Sequence, residues 1–274
     1  MLHIQSKLSF KDYSIALPAE HMLQAYQERH PRYDKFLPLL AKHIEAGSTV
    51  IDVGANCGDT LAAMVEQNSR LKYVCVEPDN YFFEYLTGNI SRIKQAVPEL
   101  DVDVVKSLVG RSVTNVSLEG SGGTRHAVVG SGANNCRSLD DILLTLSCPP
   151  VRLLKSDVDG FDYDVIDSAE MLLTKHHPLV FFECQHETDS QKAGYEKTLR
   201  WMNETGYVDW TVFDNFGELV LRTRDIDQLL QLMQYVWRQN ASAATRTIYY
   251  FDVLAVVATD SMFVDRVLAA MEST

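Results

Sequence analysis

Short runs of β-branched and apolar residues along the chain alternate with stretches whose apolar positions recur every three to four residues, the signature of strands and amphipathic helices. Strands are expected at Val50–Val53, Tyr73–Glu77, Val102–Ser107, Val151–Asp157, Leu179–Cys184, Val208–Phe213 and Tyr249–Val257. Helices are expected at Thr60–Glu66, Tyr81–Lys94, Leu139–Leu146, Tyr163–Lys175, Tyr195–Thr205 and Asp225–Arg238. Alternation of this kind builds an α/β fold, a mostly parallel, doubly wound sheet with helices on both faces. The last strand follows a polar segment and has no crossover helix of its own. It is therefore expected to pair antiparallel with its neighbour, giving seven strands with one reversed.

Residues 1–48 read as an N-terminal cap: an extended piece from Lys7 to Ala16, then helical stretches at Glu20–Arg29 and Asp34–Ile44, with Pro18, Pro31, Pro38 and Gly47 as punctuation. Residues 49–274 form the main domain. Alternation between Val113 and Val129 around Gly120-Ser121-Gly122-Gly123 marks a β-hairpin insertion at about residues 112–130, at the sheet edge or over the site. The next loop, Gly130 to Asn135, reads equally as a lid or a plain linker. A helical insertion at about residues 225–240 carries an apolar stripe, Leu229, Leu230, Met233 and Trp237, that serves a core, a lid or a homodimer face; core is the simplest.

Composition narrows the partners. With 37 acidic against 25 basic side chains the net charge is −12, and no basic block appears, which excludes a nucleic-acid backbone or anionic membrane as the main partner. No apolar run is long enough to span a bilayer and the N-terminus lacks signal-peptide character, so a cytoplasmic protein without integral membrane association is expected. Cys57, Cys75, Cys136, Cys148 and Cys184 lack paired spacing and read as reduced, buried thiols.

In an open α/β sheet, ligands bind beyond the carboxyl ends of the strands. The first strand runs into Gly54-Ala55-Asn56-Cys57-Gly58-Asp59-Thr60, and the second ends on Glu77, the pair of features a nucleoside-binding βαβ unit uses for close backbone approach and for the ribose hydroxyls. Asp59 sits where a dinucleotide's diphosphate would rest, which suits the cationic S-adenosylmethionine better. Cofactor contacts are expected from Asp52, Gly54, Asn56, Gly58, Asp59, Thr60, Glu77, Ser107 and Asp157. For the chemistry, Asp157, His186 and Glu183 stand at neighbouring strand ends; His186 or Asp157 would take a proton from a hydroxyl, with Glu183 orienting the histidine or the substrate. Asp162 and Asp164 open a helix, where capping explains them better than catalysis.

The ordered set Val50-Ile51-Asp52-Val53-Gly54-Ala55-Asn56-Cys57-Gly58-Asp59-Thr60, Val76-Glu77-Pro78, Ser138-Leu139-Asp140-Asp141, Lys155-Ser156-Asp157-Val158-Asp159-Gly160-Phe161-Asp162 and the strand ending at Glu183 resembles the FkbM-type S-adenosylmethionine-dependent methyltransferases over roughly residues 49–183. The resemblance implies a Rossmann-like class I methyltransferase fold, S-adenosylmethionine as cofactor and O-methylation of a sugar, glycan or natural-product hydroxyl. By position it makes Gly54, Asn56 and Gly58 the turn under the methionine part, Glu77 the ribose ligand and Asp157 the acid facing the active site. Asp159 and Asp162 depart from it, standing where the family usually has glutamates.

Three other readings stay open at this level: Mg²⁺ held by Asp157, Glu183 and Asp159, a nicotinamide-dependent oxidoreductase, and a non-catalytic nucleoside-binding protein. For the acceptor wall, Tyr81, Phe82, Trp201, Trp210, Phe213 and Phe216 are candidates, although several sit on helices where packing is the simpler use.

Overall fold

The computed structural model describes residues 6–111, 116–119, 126–129, 136–242 and 247–273. A small antiparallel pair, β1 (Ser6–Ser9) and β2 (Ser14–Leu17), precedes α1 (Leu23–Arg29) and α2 (Phe36–His43). Then come β3 (Thr49–Val53), α3 (Asp59–Gln67), β4 (Lys72–Val76), α4 (Asn80–Ala96) and β5 (Asp101–Val105). Two short strands, β6 (Val116–Glu119) and β7 (His126–Val129), pair antiparallel in a sheet of their own, so the inserted hairpin does not extend the main sheet. Its expected turn and the loop at residues 130–135 lie outside the described residues. The chain continues through α5 (Leu139–Leu144), β8 (Val151–Ser156), α6 (Asp162–Asp167), α7 (Glu170–His176), β9 (Leu179–Cys184), α8 (Asp189–Glu204), β10 (Tyr207–Asp214), β11 (Leu219–Thr223), α9 (Ile226–Ser242), β12 (Phe251–Val257) and α10 (Ser261–Glu272).

The main sheet has the order β11-β10-β12-β9-β8-β3-β4-β5. All seven expected strands are present, and β11 adds an eighth at one edge. β12 is antiparallel to both β9 and β10, as expected, but a helix does precede it: α9 links β11 to β12, which run parallel to each other on either side of β10. Strands buried on both faces read as largely apolar runs: every residue of β3, β4 and β9 is buried, including Asp52 and Glu183 towards their carboxyl ends.

One face of the sheet packs on the cap. Ile15, Leu17, Phe36, Leu40 and Ala41 share a core with Val50, Tyr73, Leu153, Phe181, Phe213 and Leu254. Buried amides stitch the cap down: Asn89 Nδ2 donates to Ala16 O and Cys57 O, Ala16 N donates back to Asn89 Oδ1, and Asn68 Nδ2 donates to Ala41 O and Ile44 O. The opposite face packs on α5 to α9, with Leu229, Leu230 and Met233 in that core. Among its three readings, the stripe on α9 is therefore core.

The sequence pattern joins α6 and α7 into one helix, but the chain breaks between them. Ser168 Oγ is diverted to Val165 O and accepts from Leu139 N, while the Asp140 carboxylate accepts from Met171 N and Leu172 N and so satisfies the start of α7 across space. α10 was not anticipated, although Val264, Val267, Leu268 and Met271 hold helical spacing and pack on the cap-side core.

Candidate functional site

The side chains that share the cap-side face at the strand tips form a row of acids across the sheet: Glu77 after β4, Asp52 on β3, Asp157 after β8, Glu183 on β9 and Asp252 on β12. The register explains it, since Asp52 pairs with Lys155 two residues before Asp157, and Glu183 pairs directly with Asp252. Above these tips lies a cleft of about 370 Å³, roofed by the cap residues His21, Tyr26, Tyr33 and Asp34.

Among the residues expected from sequence, Gly54, Asn56, Asp59, Thr60, Glu77, Ser107, Asp157 and Glu183 line this cleft. Asp52 and Gly58 do not. Asp52 is buried beneath it, with Oδ1 2.9 Å from the Lys155 ammonium. Gly58 takes the left-handed backbone (φ 83°) that turns the loop into α3, and a Cβ there would come within 2.8 Å of Leu86 Cδ1. Gly54 has the same need with a backbone neighbour: at φ 77°, its Cβ would lie 1.9 Å from Asp157 O. The glycines thus let β3, β8 and α4 close on one another.

His186 stands apart. It is buried, stacks on Trp237 of α9 with ring centroids 5.5 Å apart, and is absent from the described cleft lining. Burial lowers its pKa to about 4, so the ring is neutral across the physiological range. The N-cap of α6 is Phe161, without a side-chain cap bond, and Asp162 and Asp164 lie in the helix's first turn. Asp162 accepts from Ser156 Oγ at 2.6 Å and from Tyr195 Oη at 3.3 Å, and Asp164 Oδ2 accepts from Arg111 N.

Glu77 is the best-fixed acid. Oε2 accepts from Asn56 N and Oε1 from Asp79 N, each at 2.8 Å, and Asn56 meets this demand with a left-handed backbone (φ 47°). Burial pushes Glu77 up to about 7, against the pull of those two N–H groups. The turn after β8 holds Asp157, half-exposed with Oδ2 3.6 Å from Lys155 Nζ, and Asp159, whose own φ is 51°. Burial first, and then the charge of Asp157, raises Asp159 to about 7. Lys155 Nζ also donates to Gly54 O; burial disfavours its charge, but Asp52 and Asp157 outweigh that and hold it protonated.

Sequence reasoning missed the far end of the cleft. Tyr33 and Asp34 from the cap, with Tyr250 and Asp252 at the start of β12, stand around Glu183. The signal available was β12's reversal, which brings its first residues, not its last, to the same edge as the other strand tips. Phe82 and Phe213 do line the cleft, whereas Trp210 is wholly buried and Phe216 stacks on His30. Among the described residues, the carboxylates of Asp157, Asp159 and Glu183 do not converge as a metal-ligand group; the group that does is His21, Cys57 and Asp59.

This lining suits a cationic nucleoside. The lysine and arginine among the lining residues, Lys155 and Arg32, are both ion-paired, and Asp59 opens α3 where an anionic diphosphate would need free N–H groups and positive charge. Glu77 turns a rigid carboxylate to the cleft. The family profile described as methyltransferase FkbM domain matches residues 52–208. Among curated proteins none matches the sequence. Similar solved structures include cofactor-bound Rv0187 from MTB, 16% identical over 85% of this chain and 87% of that one, with a TM-score of 0.44. The O-methyltransferase from Bacillus cereus in complex with SAH is 13% identical over 86% of this chain and 88% of that one, with a TM-score of 0.48.

Proposed function

The chain belongs to the FkbM methyltransferase family of S-adenosylmethionine-dependent enzymes, and from that premise we propose that it O-methylates a hydroxyl on a small sugar, glycan or other natural-product acceptor. The observation that carries this reading is the division of the carboxylate row. One end, at Glu77, is immobilised by two backbone N–H groups, and the other, from Asp157 to Asp252, faces a cavity walled by aromatic rings.

S-adenosylmethionine, when bound, supplies an activated methyl group on a sulfonium. Glu77 would hold its ribose hydroxyls, and Asn56, Asp59 and Thr60, which line the same cleft, would hold its methionine end. Asp157 and Asp159 form the carboxylate pair that receives the hydroxyl proton of the acceptor. A base with a pKa near the working pH combines availability with driving force, and Asp159, raised to about 7, meets that condition. The cap then excludes water and holds the acceptor in line, an alignment able to contribute roughly 7–11 kcal/mol. Five free cysteines support a reducing, cytoplasmic setting, and among the described residues no helix is long and apolar enough to cross a membrane.

The direct test is a two-part measurement. Calorimetry with S-adenosylhomocysteine is expected to show saturable binding that Glu77→Ala weakens. Label from S-adenosylmethionine is expected to appear on hydroxyl oxygens in a screen of sugars, glycolipid intermediates and small alcohols. Label found on carbon or nitrogen would remove the O-methylation reading; no heat from S-adenosylhomocysteine would remove the donor assignment.

A further inference from the structure

Beyond the reacting hydroxyl, the far end of the cleft carries more carboxyl groups than the donor and a neutral acceptor can use. Glu183 and Asp252 are cross-strand partners on the same face of the sheet. Glu183 lines the cleft, is 7% exposed, and its Oε2 has no hydrogen-bond partner. An orphaned buried carboxylate oxygen is costly unless a ligand completes it. The charged groups that reach Glu183 most strongly are Asp157, Asp159, Asp162 and Asp252, all of its own sign. From the cap, Asp34 and Tyr33 face the same space, and Tyr250 joins them from the start of β12, its hydroxyl within reach of Tyr33. Lys155 sits below and is already engaged by Asp52, Asp157 and Gly54 O.

We propose that the acceptor carries a protonated amine and that the Glu183–Asp252 pair, walled by Tyr33 and Tyr250, is the pocket that seats it. The inference rests on the methyl-transfer reading above and narrows its substrate class to amino-bearing alcohols, such as amino sugars. An ammonium supplies three donors to a site composed of acceptors, and tyrosine faces add cation–π attraction in a desolvated setting. An amine fits better than a divalent cation, because the oxygens of these carboxylates do not draw together into a ligand group among the described residues. The same ligand explains why the acids lie side by side: alone, burial and then the charge of Asp157 hold Glu183 and Asp252 well above the usual carboxylate range, and a bound cation relieves both. Amine binding therefore expels protons.

The test uses the full chain saturated with S-adenosylhomocysteine at neutral pH, titrated with cyclohexylamine and glucosamine against cyclohexanol and N-acetylglucosamine. Each amine is expected to bind at least about tenfold tighter than its neutral counterpart, the strength of a charge-assisted hydrogen bond. The heat should change with the ionisation enthalpy of the buffer, as proton release requires. Glu183→Gln and Asp252→Asn, both nearly isosteric, should each cut the preference to about threefold or less without altering affinity for S-adenosylhomocysteine. Equal binding of amines and neutral partners overturns the proposal, since it means the acids act in their neutral form. A preference that survives both substitutions also overturns it, as does saturable binding of Mg²⁺ with no response to amines. Failure to bind S-adenosylhomocysteine defeats the methyl-transfer reading itself; normal binding of it without amine preference defeats this inference alone.

Discussion

Lys155 Nζ lies 2.9 Å from Asp52 Oδ1, with the two side chains 4% and 1% exposed, so the adjacent strands β3 and β8 are joined by a nearly water-free ion pair directly beneath the site. Removing one member of such a pair strands the other charge, at a cost of about 3–5 kcal/mol, whereas removing both is far milder. Lys155→Met is accordingly expected to lower the urea midpoint sharply. Lys155→Met with Asp52→Asn should recover most of the loss, and a double-mutant cycle in urea measures it. Additive losses would show that the pair contributes no coupling.

Asp157→Asn and Asp159→Asn are each expected to lower kcat by about 10² to 10⁴, the usual share of a general base, with affinity for S-adenosylhomocysteine unchanged. His186→Phe, under Trp237 and away from the cleft, keeps ring volume and should leave kcat nearly unchanged at a stability cost below about 1.5 kcal/mol. Steady-state kinetics with a saturating donor distinguishes the two outcomes; a collapse of kcat in His186→Phe would restore the histidine as base.

The pH dependence follows from acids that the fold pushes upward. Asp162 is fully buried, and burial raises it to about 7 even though Ser156 Oγ donates to it; Glu77 moves the same way for the same reason. The folded state thus holds these protons more tightly than the unfolded chain. Their stabilisation is complete below about pH 4 and is lost as pH climbs through about 7. The ligand-free protein should show a falling Tm across that interval, and Asp162→Asn should flatten the curve. A Tm that rises with pH there, in both proteins, would contradict the assignment.

Gly217 holds the cap against the turn between β10 and β11. Its φ is 84° and a Cβ would stand 2.3 Å from Arg32 O, beside the His30–Phe216 stack and the Arg32–Glu218 ion pair. Gly217→Ala is expected to cost about 1–3 kcal/mol of backbone strain and, by displacing Tyr33 and Asp34, to raise the KM for the acceptor while the affinity for S-adenosylhomocysteine stays within about twofold. An unchanged KM would mean that the cap does not shape the acceptor pocket.

The legible part of this protein was the part encoded locally. Apolar and β-branched runs located seven strands with their ends within two residues, because strands buried on both faces are predominantly apolar. Glu77, Asn56 and Asp157 line the cleft because each stands at or just beyond the place where a strand stops. What escaped notice depends on contacts between distant segments. Asp140 caps α7 from another helix, and Tyr33 and Asp34 reach the cleft from the cap. His186 follows its strand end as expected, yet α9 returns Trp237 against it, an event that no spacing around residue 186 announces.

The position of β12 has a consequence for how the enzyme is born. Its seven residues occupy the place between β9 and β10, two strands that emerge from the ribosome well before it. β9 and β10 can therefore be joined in one sheet only once this keystone has been made, and Asp252 arrives with it. Chains truncated before that strand lack Asp252, and with it the proposed amine pocket.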